Sequence, residues 1–169
     1  MSITDTELDF ITATNVNIGD GTVGAITVDG ISNSSVTGTL TLTSGSTVAF
    51  NTGASTITNN LAVTSTDIDV SIGLNVGSSN LTIVRSGGGT IGLGDTNTSC
   101  GGTCDMVIGG TELQNITAAN LIIGDATTTA VRVDNISATN SDNISGTVTL
   151  NATASGGNVT FDTLGSTFN

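Results

Sequence analysis

Two cysteines, Cys100 and Cys104, stand in the stretch TSCGGTCD with three residues between them, two of them glycine. So flexible a link lets the chain fold back until the thiols meet, and a disulfide is the preferred reading over a pair of free thiols. Zinc would need further Cys or His ligands, and the sequence holds no His and no third Cys. The spacing also departs from the CxxC of redox pairs. In the chain-entropy picture so small a loop stabilises by only about 2 kcal/mol. A bridge here would staple a local protrusion and point to an oxidising, extracytoplasmic compartment.

Carboxylates supply the other candidate chemistry. Asp20, Asp95 and Asp125 each end an IGD or LGD phrase. If stacked passes of chain aligned them they could hold calcium; otherwise each caps its own turn through local backbone bonds. Asp67 and Asp69, in STDIDVS, face the same side of a strand, and a carboxylate pair is the minimum equipment of a glycosidase. The chain has no Trp or Tyr to stack on sugars and no His or Lys to act as a base. We therefore expect no enzymatic activity and no resident cofactor, with calcium at the three turn aspartates as the weak exception.

Such side chains need a scaffold, and the composition restricts what it is. Of 169 residues, 51 are Ser or Thr, 23 are Gly, four are Phe and none is Pro. Burial must come from Val, Ile, Leu and Ala in thin layers, and so many β-branched residues argue against disorder. The net charge of −12, with Arg85 and Arg132 as the two cations, offers phosphates no basic surface, so nucleic acid and anionic membrane are not expected partners. No apolar run approaches the roughly 20 residues that span a bilayer. Met1 is followed by SITDTELDF, which lacks the basic and apolar regions of a secretion signal.

Apolar and polar residues alternate almost throughout, as in Leu40 and Leu42, Leu81 and Ile83, or Val131 and Val133. This period of two predicts short strands separated by Gly, Asn, Asp and Ser turns, hence an all-β chain. The stretch TELDFITATNVNIGD (6 to 20) returns as TELQNITAANLIIGD (111 to 125), ten of fifteen positions being identical. At the same offset Met1 falls on Met106 and Val28 on Val133; further on, VTGTLTL (36 to 42) matches ISGTVTL (144 to 150). Residues 1–105 therefore read as one complete repeat and 106–169 as part of a second, continuous with it. Self-similarity of this kind predicts a right-handed parallel β-solenoid with about five coils of about twenty residues per repeat. Tandem β-sandwich domains are the alternative, although these normally carry aromatic core anchors. In the solenoid register Leu8, Ile11, Val16 and Ile18 lie inside, as do Leu113, Ile116, Leu121 and Ile123, while Asn15 and Asn120 close a corner or join an Asn ladder.

The phrases TELQNITAANLIIGD, TAVRVDNI, NISGTVTL and SGGGTIGLGD resemble repeats of giant secreted bacterial surface proteins, the filamentous-haemagglutinin-like adhesins and related β-helical fibre proteins. The resemblance implies export, a rod-like β-helix and a place in adhesion, biofilm or surface coating. Our expectation is a structural segment or subunit of an extracellular or cell-surface filament, associating head to tail or running on as a longer covalent array. An adhesin module that binds a host or matrix ligand through the loop Asp95 to Asp105 is one alternative. Ice binding by Thr-rich strands such as TGTLTLTSGST is another.

Overall fold

The computed structural model of the chain describes residues 1–32, 35–94, 100, 103–162 and 165–169. The first pass of chain comprises β1 (Ser2–Thr4), the one-turn helix α1 (Asp5–Asp9) and β2 (Ala13–Asp20). The second holds β3 (Ile26–Asp29) and β4 (Val36–Ser44), and the third β5 (Thr47–Gly53), β6 (Ser55–Thr56) and β7 (Asn60–Ser65). The fourth holds β8 (Asp67–Asp69), β9 (Leu74–Asn75) and β10 (Asn80–Arg85), and β11 (Gly89–Gly94) follows it. A fifth pass contains β12 (Met106–Ile108), α2 (Gly110–Gln114), β13 (Ile116–Thr117) and β14 (Asn120–Ile123). The sixth contains β15 (Thr128–Asp134), α3 (Ala138–Ser141) and β16 (Val148–Leu150), with β17 (Asn158–Phe161) beyond it.

Every strand pairing among the described residues is parallel, unlike the antiparallel pairs of β-sandwich domains. One six-stranded sheet runs β16-β14-β10-β7-β4-β2. Two four-stranded sheets, β1-β3-β5-β8 and β12-β11-β15-β17, meet where β8 runs beside β12, and a small sheet β13-β9-β6 completes the set.

Alternation accounts for the register. In the six-stranded sheet Val16, Leu40, Leu61, Leu81, Leu121 and Val148 are successive partners, as are Ile18, Leu42, Val63, Ile83, Ile123 and Leu150. These ranks face one continuous apolar core together with Ile26, Val48, Ile68, Ile91, Val131 and Phe50. Each fully buried Leu or Ile contributes about 1.5–3 kcal/mol, and a slip of one residue would turn a whole rank outward. Phe50 is the one fully buried aromatic among the described residues, so narrow aliphatic ranks carry the core.

Three details differ from the sequence reading. First, the interior set is complete only in the second copy. Leu113, Ile116, Leu121 and Ile123 are fully buried, whereas Ile11 is 36% exposed and Val16 and Ile18 are only half-buried. The cause is position: β14 lies between β10 and β16, while β2 is an edge strand with, among the described residues, a neighbour on one side only. Second, the first repeat holds four passes plus an extra strand, β11, rather than five coils. The chain leaves β11, crosses the cysteine stretch and re-enters as β12, which lies between β8 and β11, against sequence order. Third, three helices of a single turn interrupt the strands among the described residues. At the first, Glu7 Oε2 accepts the Thr4 N–H and the Thr4 hydroxyl, both at 2.9 Å, the capping-box arrangement that TDTE encodes.

Candidate functional site

Cys100 and Cys104 stand at bonding distance, with Cα atoms 5.2 Å apart. Next to Cys104, the Asp105 carboxylate accepts the Thr90 N–H at 2.8 Å and the Thr90 hydroxyl at 2.9 Å, and the Asp105 N–H donates back to that hydroxyl. The Thr90 N–H, then its hydroxyl, hold the Asp105 carboxyl below its ordinary pKa. The staple thus secures the return of the chain from β11 into β12. Reducing the disulfide should cost about 2 kcal/mol. The accompanying rise in amide exchange should stay within residues 89–108, as hydrogen-exchange mass spectrometry would show; a rise spreading into β4 or β7 would contradict this local role.

Among the turn aspartates, Asp20 Oδ1 accepts the Thr22 hydroxyl and N–H, both at 2.7 Å, and the Val23 N–H at 3.2 Å. Asp125 Oδ1 likewise accepts the Thr127 N–H at 2.8 Å and its hydroxyl at 2.7 Å. Bonds from the Thr22 hydroxyl and N–H lower the pKa of Asp20; at Asp125 burial opposes the shift, but the Thr127 and Thr128 bonds prevail and lower it too. Each carboxylate is engaged in its own turn. Asp95 lies outside the described residues, and no three Asp, Glu or Cys side chains converge into a metal-ion nest among those described.

Asp67 and Asp69 flank the buried Ile68 on β8, at the junction with β12 and α2. Asp69 accepts the Asn51 side-chain amide at 2.8 Å and the Ser71 hydroxyl. The nearby N–H groups of Ile68 and Val107, the latter across the junction, favour the charged form of Asp67 but do not offset its burial. A third carboxylate, which the sequence reading missed, is Glu112. Its Oε2 accepts the Gly109 N–H at 2.8 Å and its Oε1 the Val70 N–H at 3.1 Å, tying α2 to the end of β8. Burial, then the charges of Asp67 and Asp69, push the Glu112 carboxyl up, and burial first also pushes Asp67 up. Glu7, the counterpart of Glu112, is lowered by the Thr4 N–H and hydroxyl.

The two copies of one glutamate therefore titrate in opposite directions. Because Glu112 holds its proton more tightly folded than unfolded, its contribution to stability is fully present below the unfolded pKa and lost as pH rises through the folded one. Glu7 has the reverse sign: its contribution is present above the unfolded pKa and lost as pH falls through the folded one. Carboxyl-carbon NMR titration should place the Glu112 midpoint above that of Glu7; the opposite order would mean that α2 does not pack on β8 as described.

A ladder runs along one corner of the six-stranded sheet. Asn15 Oδ1 accepts the Thr39 N–H at 3.0 Å, and Asn60 Oδ1 accepts the Asn80 N–H at 3.0 Å. Asn120 donates to Asn80 Oδ1 at 2.8 Å and accepts the Thr147 N–H at 3.0 Å. On the outer face the next rank reads Asn17, Thr41, Ala62, Thr82, Ile122 and Thr149, a threonine row interrupted at three places.

The largest exposed apolar side chains lie at the two ends of this stack. Met1 (56% exposed), Phe10 (84%) and Ile11 belong to the first pass, and Val159 (39%) and Phe161 (56%) to β17. Among the described residues strands β2 and β16 leave one edge each of the six-stranded sheet unpaired. Among the described residues no helix is long and apolar enough to cross a membrane. Comparison of the chain with protein-family models, with curated proteins and with solved structures gave no match.

Proposed function

We propose that the chain is a structural segment of an extracellular protein filament, a right-handed parallel β-solenoid that associates end to end. The observation that carries this reading is the pair of open edges. Among the described residues strands β2 and β16 present unpaired backbone at opposite margins of one sheet, with half-buried Val16, Ile18, Val148 and Leu150 beside them. Open parallel edges of this kind template further strands, and contact between unlike ends propagates into a rod rather than closing a ring. The cysteine pair at bonding distance suits an oxidising compartment outside the cytoplasm. On this reading the carboxylates at the β8 junction tie passes of chain together and do no chemistry.

Electron microscopy of the purified chain over a concentration series tests the reading. Straight unbranched rods a few nanometres wide are the expected result. Compact particles that remain monomeric by sedimentation at every concentration would refute end-to-end association.

A further inference from the structure

We propose that the seam between β1 and β3 is a strand-acceptor site, which takes the 89–94 segment of another repeat of this kind. The internal duplication supplies the argument. In the first copy β1 pairs directly with β3, with Ser2 beside Thr27 and Ile3 beside Val28. In the second copy the counterparts of these two strands, β12 and the end of β15, do not pair with each other: β11 lies between them and pairs with both.

The registers agree. Ile91 is the partner of Met106 on one side and Val131 on the other, and Leu93 the partner of Ile108 and Val133. The equivalent residues in the first copy are Met1 with Ile26 and Ile3 with Val28, the same pairs that the direct register brings together. A strand like β11 can therefore enter the seam without any slip and keep every apolar side chain on the core side. Its outward position at the centre is Gly92, between Val107 and Arg132, so an inserted strand adds no side chain between Ser2 and Thr27. The ladder to be opened is short, since β1 has three residues and lies at a sheet edge, and two ladders replace it.

What would lie beneath the first pass is shown by the same comparison. Under the second copy runs the 67–85 pass, which places the Val70 N–H on Glu112, the Asn80 side-chain oxygen on Asn120, the Ser79 carbonyl on the Ala119 N–H and the Ile83 carbonyl on the Gly124 N–H. Among the described residues the matching groups of the first copy, Glu7 Oε1, the Asn15 side-chain amide and the N–H groups of Thr14 and Gly19, make no such bond. One departure marks the site: Phe10 stands where Asn115 donates to the Val70 carbonyl at 2.8 Å, so a ring replaces a hydrogen bond there.

The acceptor site deepens the filament reading by naming the segment that crosses from one repeat to the next. The test uses a chain in which residues 1–105 are repeated once ahead of Met1, with S2C and T27C in the following block. In the unextended 169-residue chain the same two cysteines are neighbours and should form a disulfide readily. In the extended chain they should stand two strand spacings apart, about 9–10 Å, and the yield should fall at least about tenfold. Moving one cysteine to Gly92 of the preceding block, opposite S2C, should restore it. An undiminished S2C–T27C bridge, with residues 111–125 of the last block still protected from exchange, would overturn the proposal. So would loss of protection at 111–125, because the junction made is the one the chain already has between Asp105 and Met106. A yield that falls with concentration in the unextended chain would give the seam to an edge strand of a second copy and overturn the choice of the 89–94 segment. Absence of rods in the microscope would refute the filament reading while leaving the cross-linking result to stand or fall separately.

Discussion

Ile123→Asp should abolish the cooperative thermal transition, whereas Ile18→Asp should lower the melting temperature and leave the transition intact. The two residues occupy the same place in the two copies, and the sequence alone gives no reason to rank them. The structure does. Ile123 is fully buried in a rank between Ile83 and Leu150, so a carboxylate there loses its hydration without gaining a donor. Burying an unpaired charge places this substitution in the tail of point-mutant effects, about 4 kcal/mol or more. Ile18 sits on the edge strand and is half-buried, so an aspartate there can turn toward water at a cost of about 1–2 kcal/mol. Asn17→Asp, on the exposed face of the same strand, should change stability by no more than about 0.5 kcal/mol at moderate salt. Urea denaturation of the three variants measures the order, and equal losses for Ile18→Asp and Ile123→Asp would mean that β2 is covered in solution.

That ranking marks the boundary between what alternation encodes and what it does not. A period of two fixes which side of a strand is apolar, and the ranks through Leu40, Leu81 and Leu121 follow from it directly. How deeply a rank is buried depends on whether another pass lies against it, and the alternation within TELDFITATNVNIGD is indifferent to that. The order of β11 and β12 was hidden for a similar reason. Parallel neighbours are chosen by packing over long sequence separations, and nothing local in GTIGLG or MVI tells which lies nearer to β8. The Glu112 anchor was legible in principle, since TEL opens both copies, but a lone charge in an apolar pattern carries no mark of burial. The helices are too short for a 3.6-residue period to appear, yet TDTE at the first held a capping signature that the strand pattern overshadowed. In the IGD phrases the aspartate carries the visible chemistry, while the stronger constraint lies one residue earlier, at Gly19 and Gly124.

That constraint gives the second large effect. Gly124→Ala should destabilise the chain by about 3 kcal/mol or more, the sum of a strained backbone and a steric clash. Gly124 has φ +82°, in the left-handed region that a residue with a Cβ adopts only at a cost. A Cβ built there would stand 2.1 Å from the Asn151 carbonyl oxygen and 3.0 Å from Thr128 Oγ1. The first is backbone of the next pass, fixed by the Asn151 N–H donating to the Ile123 carbonyl at 2.8 Å, so it cannot retreat without opening that ladder. Gly19, its counterpart, has φ +81° and a Cβ position 2.2 Å from the Thr43 carbonyl oxygen. The local geometry is the same, but β2 has a neighbour on one side only and can move away from β4. Gly19→Ala should therefore cost less than Gly124→Ala, by an amount that reports how freely the edge strand shifts. Calorimetry of the two variants decides the point, and a Gly124→Ala loss below about 1 kcal/mol would mean that Asn151 does not approach the turn as closely as described. Glycine before aspartate is thus required by the approach of the next pass, while the aspartate fastens the turn, through Thr22 at Asp20 and through Thr127 at Asp125, and the two copies share this corner.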